Sequence, residues 1–128
     1  MRIRLLHLIL CCVALTPAAL AAQSAEEIDP VDVSPDRFTV LLENEHVRVL
    51  EYTLEPGQRD DWHTHPPKVS YVVSPGTLRI TTADGESFLT EESPGAGWMD
   101  ALGRHYAENV GDTTVRIALI EVKAAKKN

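Results

Sequence analysis

The feature that most limits how this chain can fold is its punctuation. From residue 37 to residue 123, short runs of β-branched and aromatic residues alternate with turn residues, and no window of eleven or more keeps apolar side chains at helical spacing. The runs recur about every eight to twelve residues, the rhythm of an all-β sandwich or barrel. Strands are expected over residues 37–42, 46–54, 63–65, 68–73, 78–82, 87–89, 98–101, 103–110 and 114–123. Glu43-Asn44-Glu45, Glu55-Pro56-Gly57, Ser74-Pro75-Gly76-Thr77, Asp84-Gly85 and the loop Ser93-Pro94-Gly95-Ala96-Gly97 separate most of them. No internal repeat is visible, so the class is all-β.

The two ends read differently. Arg2 and Arg4, an apolar run over residues 5–15 and the small residues Ala19 and Ala21 have the order of a secretory leader. The run is too short for a membrane span, which takes about 20 residues. Residues 1–22 are therefore expected to be removed on export, placing the protein in the periplasm or outside the cell. Residues 23–36, with Glu26, Glu27, Asp29, Pro30, Asp32 and Pro35, show no apolar period and are expected to form a flexible arm. Residues 37–123 form a single barrel domain, and 124–128 a charged tail.

The remaining composition narrows the function. Cys11 and Cys12 both fall in the leader, which excludes disulfides and thiolate ligation in the mature chain. The formal charge of −7 becomes −9 when Arg2 and Arg4 leave with the leader. Nucleic acid and an anionic membrane surface are thereby excluded as partners.

Chemistry concentrates in the histidines. Of five, His7 belongs to the leader, and His46 reads as a strand-edge residue without a role. The other three are His63, His65 and His105. On a strand, residues two apart face the same way, so His63 and His65 present both imidazoles to one side, and His105 can close the site from across the barrel. Three neutral imidazoles suit zinc, copper, iron or nickel, and leave coordination positions open to water or substrate. If the strands on either side of Pro66-Pro67 join without a bulge, Asp61, Val69, Tyr71 and Val73 share the parity of the histidines and line the same cavity. Asp61 is then a candidate fourth ligand, and Tyr71 a candidate catalytic hydrogen-bond donor to a bound anion. Trp98 is a candidate cavity wall, whereas Lys68 should point outward.

Gly57, His63, His65 and Gly76 stand at the spacing G-x5-H-x-H-x10-G, and His105 and Asn109 follow as H-x3-N. Together these motifs resemble the paired signature of small single-domain cupins, over about residues 38–122. The resemblance implies an antiparallel jelly-roll β-barrel with a divalent transition metal inside it (iron, zinc, nickel, manganese or copper), and gives Asn109 a barrel-securing role. Two departures bear on the chemistry. The glutamate that usually follows the His-x-His pair is replaced by Val69 and Ser70. The proline and glycine expected before the third histidine do not align, Asp100 and Leu102 standing in their places.

Without that carboxylate the metal keeps its full charge, which favours anionic ligands and resembles the three-histidine iron centres of thiol- and diketone-cleaving dioxygenases. The function expected is a metal-dependent, dioxygenase-like enzyme acting on a small anionic organic molecule. A non-catalytic periplasmic binding protein for metal or a small ligand is the alternative. Long strand edges in such a barrel lead us to expect a homodimer.

Overall fold

The computed structural model describes residues 26–124, so the predicted leader and residues 125–128 of the predicted tail lie outside the described residues. A one-turn helix, α1 (Pro30–Val33), precedes nine strands: β1 (Phe38–Glu43), β2 (Val47–Leu54), β3 (His63–His65), β4 (Lys68–Ser74), β5 (Gly76–Thr82), β6 (Ser87–Glu92), β7 (Gly95–Met99), β8 (Leu102–Asn109) and β9 (Val115–Val122). They form two antiparallel sheets, one in the order β1-β2-β9-β4-β7 and the other β3-β8-β5-β6, which face each other as a jelly-roll barrel.

The core follows from period-2 alternation. On β2 and β9, Leu50, Tyr52, Leu54, Val115, Ile117 and Leu119 point inward. They pack with Phe38, Val72 and Leu78, with Ile80 and Val31 partly buried against them. Each such aliphatic side chain contributes about 1.5–3 kcal/mol by leaving water. The cluster adjoins the histidines, Phe38 packing against the His63 ring.

Three expectations from sequence are corrected. Residues 28–36 of the predicted flexible arm are fixed to the barrel. Asp29 caps α1 by accepting from the Val31 amide, and Pro30 and Ser34 are buried. Ile28 and Thr64 exchange hydrogen bonds, Thr64 N donating to Ile28 O at 2.9 Å and Ile28 N to the Thr64 hydroxyl Oγ1 at 2.9 Å. Asp29 also forms a two-pronged ion pair with Arg48. The arm lacks an apolar period because a single capped turn and paired charges hold it, not a hydrophobic stripe.

Second, inward parity does not carry from β3 into β4. Pro66-Pro67 is where the chain passes from one sheet to the other, since β3 pairs with β8 while β4 pairs with β9 and β7. Alternation restarts after the crossing, and the even-numbered Lys68, Ser70 and Val72 face inward. Tyr71 and Val73 are half exposed on the outside and Val69 is half buried, so Tyr71 is not a cavity residue and Lys68 does not point outward. Third, Trp98 lies exposed on the edge strand β7, donating to Asp100 at 3.0 Å, and does not wall the cavity.

Candidate metal centre

The local chain brings the three histidines together. His63 of β3 is the direct ladder partner of His105 of β8, and an irregularity after His63 shifts the register so that His65 pairs with Leu102. β3 is only three residues long, and Trp62, just before it, stands edge-on to Tyr106 of β8 at 4.7 Å. Arg59 lies over the Tyr106 ring and Arg104 over the Trp62 ring. Inside, Phe38 stacks on Tyr52 and meets the edge of His63.

All three imidazoles are buried, at 1%, 5% and 4% exposure for His63, His65 and His105. One nitrogen from each lies within 4.8 Å of the others. The opposite nitrogens are all engaged. His63 Nδ1 donates to Asp61 O at 2.7 Å, His105 Nδ1 to Gly103 O at 2.7 Å, and His65 Nδ1 to Glu121 Oε1 at 2.8 Å. A carbonyl or carboxylate oxygen offers no proton, so each Nδ1 carries the hydrogen and each Nε2 presents a lone pair. The tautomers follow from these contacts, and His63 Nε2 and His65 Nε2 face one another at 3.1 Å. Two lone pairs at that separation are compatible only with a proton or a cation between them.

Electrostatics keep the rings ready for that role. Burial, with the charge of Lys68 adding to it and the hydrogen bond to Glu121 opposing it only in part, lowers His65 to about 4. Burial and the neighbouring His63 lower His105 to about 3. Both are neutral at physiological pH, the form a metal requires.

A carboxylate does reach the centre, but behind the histidines. Glu121, 2% exposed, accepts from His65 with Oε1 and from Arg48 Nε with Oε2 at 2.8 Å, and Arg48 continues to Asp29. Burial alone would raise Glu121, and its bonds to His65 and Arg48 outweigh that and lower it. Such a partner fixes ring orientation and raises ligand basicity. Asp60 occupies a similar position near His63. It is buried, accepts from Tyr52 at 2.8 Å and from the Ala107 amide at 2.7 Å, and lies 3.8 Å from His63 Nδ1. Burial raises its carboxyl despite those contacts.

The candidate fourth ligand fails. Asp61 is exposed because β3 begins only at His63 and alternation does not extend back to it; its backbone carbonyl, not its carboxylate, serves the site. Among the described residues, the cluster able to hold a metal is three imidazoles without a carboxylate. Ser70 stands on the inner face of β4 where the resemblance leads one to expect an acid. Asn109 secures the barrel, its amide nitrogen donating to Leu54 O and Thr113 O and its oxygen accepting from Gly111 N. His46 is exposed beside Glu45 and remote from the centre.

Sequence reasoning missed Glu121, Asp60, Arg48, Lys68 and Ser70. Glu121 carried a signal: it continues the inward alternation of Val115, Ile117 and Leu119, so an acid there had to be buried. Asp60 carried none, lying outside any long ladder.

An antiparallel jelly roll with three inward-facing histidines defines a small barrel with an internal metal-type pocket. No protein-family model matches the sequence, and no curated protein matches it. Solved structures do. A cupin domain from Bordetella pertussis Tohama I is 30% identical over 68% of this chain and 92% of its own, with a TM-score of 0.62. An RmlC-like cupin with a double-stranded β-helix fold from Methanocaldococcus jannaschii is 15% identical over 66% of this chain and 77% of its own, at 0.55. A cupin superfamily protein from Desulfitobacterium hafniense DCB-2 is 12% identical over 68% and 76%, at 0.51, and like the second shares the fold alone. The chain belongs to the cupin family.

Proposed function

We propose that His63, His65 and His105 hold a divalent transition metal in an open three-imidazole centre, and that the protein is an exported, dioxygenase-like enzyme acting on a small anionic organic molecule. The observation that carries the reading is the set of three Nδ1 atoms tied to fixed acceptors while the three Nε2 atoms turn toward one another. A structural zinc is normally closed by four protein ligands, whereas three leave room for substrate. When bound, the metal supplies a Lewis-acid centre for an anionic substrate and a site for redox chemistry if it is iron. The chain's own residues orient the ligands through Glu121 and exclude water with Phe38, Ile117 and Leu119, which line the cavity.

The leader supports placement in the periplasm or outside the cell. The exposed edges β1 and β7 of the larger sheet support a homodimer, for which light scattering should return twice the mature mass.

The test is elemental analysis of untagged protein purified from its exported compartment, with oxygen uptake measured against small thiols and diketones. Near-stoichiometric iron with substrate-dependent uptake supports the enzyme. Zinc or copper without uptake supports the non-catalytic binding reading. Replacing His63 and His65 together by Ala should abolish bound metal while circular dichroism keeps its β signature; full metal retention in that variant overturns the site.

A further inference from the structure

The inner face of β4 carries a cation that the metal centre leaves unused. Lys68 is 3% exposed, lines the same cavity as His63 and His65, and its Nζ is buried without a hydrogen-bond partner among the described residues. Its ladder neighbour Glu121 is in electrostatic range, but both carboxylate oxygens are taken, one by His65 and one by Arg48. Burial pushes the ammonium down to about 8, with Glu121 opposing, so the cation still predominates at neutral pH. Its charge is felt at both His65 and His105, which places it beside the histidine centre.

An ammonium has three donors and no acceptor function, and a buried one without an oxygen partner lacks its counterpart. Ser70 projects from the same face two residues on, and its hydroxyl donates to Met99 Sδ at 3.2 Å, a weak acceptor that a ligand oxygen would outcompete.

We propose that Lys68, assisted by Ser70, anchors the carboxylate of a short organic acid whose other end reaches the three-histidine centre. The inference rests on the metal reading above and specifies its substrate class. The cavity measures about 70 Å³. One water needs about 10–15 Å³ on that measure, so the part of a ligand seated inside has only a handful of heavy atoms. A carboxylate for Lys68 and a second oxygen for the metal, within that volume, describe a two- or three-carbon 2-hydroxy- or 2-oxo-acid.

The test is calorimetric titration of the zinc-loaded protein with glycolate. Lys68→Met, of similar length and neutral, should lower glycolate affinity by about tenfold to a hundredfold, the range for hydrogen bonds to a charged group, with zinc content unchanged. Neutral glycolamide should bind both proteins alike. Equal glycolate affinity in wild type and variant, or no glycolate binding to the zinc-loaded wild type, overturns the anchor while leaving the metal site standing. If the wild type holds no zinc, the metal reading fails by itself. Glycolate binding to the metal-free protein that Lys68→Met abolishes then keeps the anchor, and its absence overturns that too. Should Lys68→Met not fold, Lys68→Gln is judged by the same criterion.

Discussion

Glu121 is where single-residue chemistry has the widest reach, because one carboxylate fixes a ligand ring with one oxygen and neutralises Arg48 with the other. Glu121→Gln keeps the size but loses the charge, and cannot present an acceptor oxygen to both partners. We expect it to weaken metal binding by about tenfold to a hundredfold, the usual effect of losing such an outer partner. It should also destabilise the fold, by less than the roughly 3 kcal/mol of a fully stranded buried charge because Arg48 keeps Asp29. Competition with a chromophoric chelator and urea unfolding measure the two effects. Unchanged metal affinity would mean that His65 is held by other contacts.

The amino-terminal turn and β3 behave as one unit, held by the Ile28 and Thr64 contacts and the Asp29 to Arg48 ion pair. Burial would raise Asp29, but its bonds to Arg48 outweigh that and hold it below its ordinary value of 3.8. A carboxylate depressed in the folded state contributes stability that is full above its unfolded value and disappears as pH falls through the folded one. The clasp should therefore stay closed at neutral pH and loosen only below about pH 4. Hydrogen exchange at the Thr64 amide, corrected for intrinsic rates, should accelerate there, and Asp29→Asn should show the faster exchange already at pH 7. An Asp29→Asn rate equal to wild type would contradict this.

The same scale shows what could be read in advance. Eight of the nine strands were legible because turn residues bracket the apolar runs; β7 was not, since its Gly95-Ala96-Gly97 half read as a loop and the strand was expected over residues 98–101. The His63 and His65 pair was legible because period 2 puts both on one face of β3; His105, expected across the barrel, instead stands beside His63 on the neighbouring strand of the same sheet. The glycines of the motif also have local causes: Gly57 has φ +79°, and a Cβ on Gly76 would stand 2.5 Å from Val115 Cγ2. Tyr71 and Lys68 were misplaced because Pro66-Pro67 exchanges sheets, a step that resets alternation without a mark in the pattern. The clasp was missed because polar contacts across 19 and 36 residues leave no periodic trace.

For the molecule as a whole, a metal held only by the folded state adds stability by mass action, about 2.7 kcal/mol at a hundredfold excess over its dissociation constant. In a domain of about a hundred residues that corresponds to a fall of about ten degrees or more in midpoint on chelation. Calorimetry with and without a chelator should show this fall for the wild type and none for the variant lacking His63 and His65. An unchanged wild-type midpoint would mean that metal and folding are uncoupled.

The chain of contacts from His65 through Glu121 and Arg48 ends at Asp29, only a few residues beyond the expected leader cleavage point. A protease or a cloning boundary that removes Asp29 would expose one flank of Arg48 and slacken the carboxylate behind a ligand. If the chain is cut at the expected leader site, the new amino end is no spare handle: where the cut falls would help to decide how firmly His65 is held for an ion.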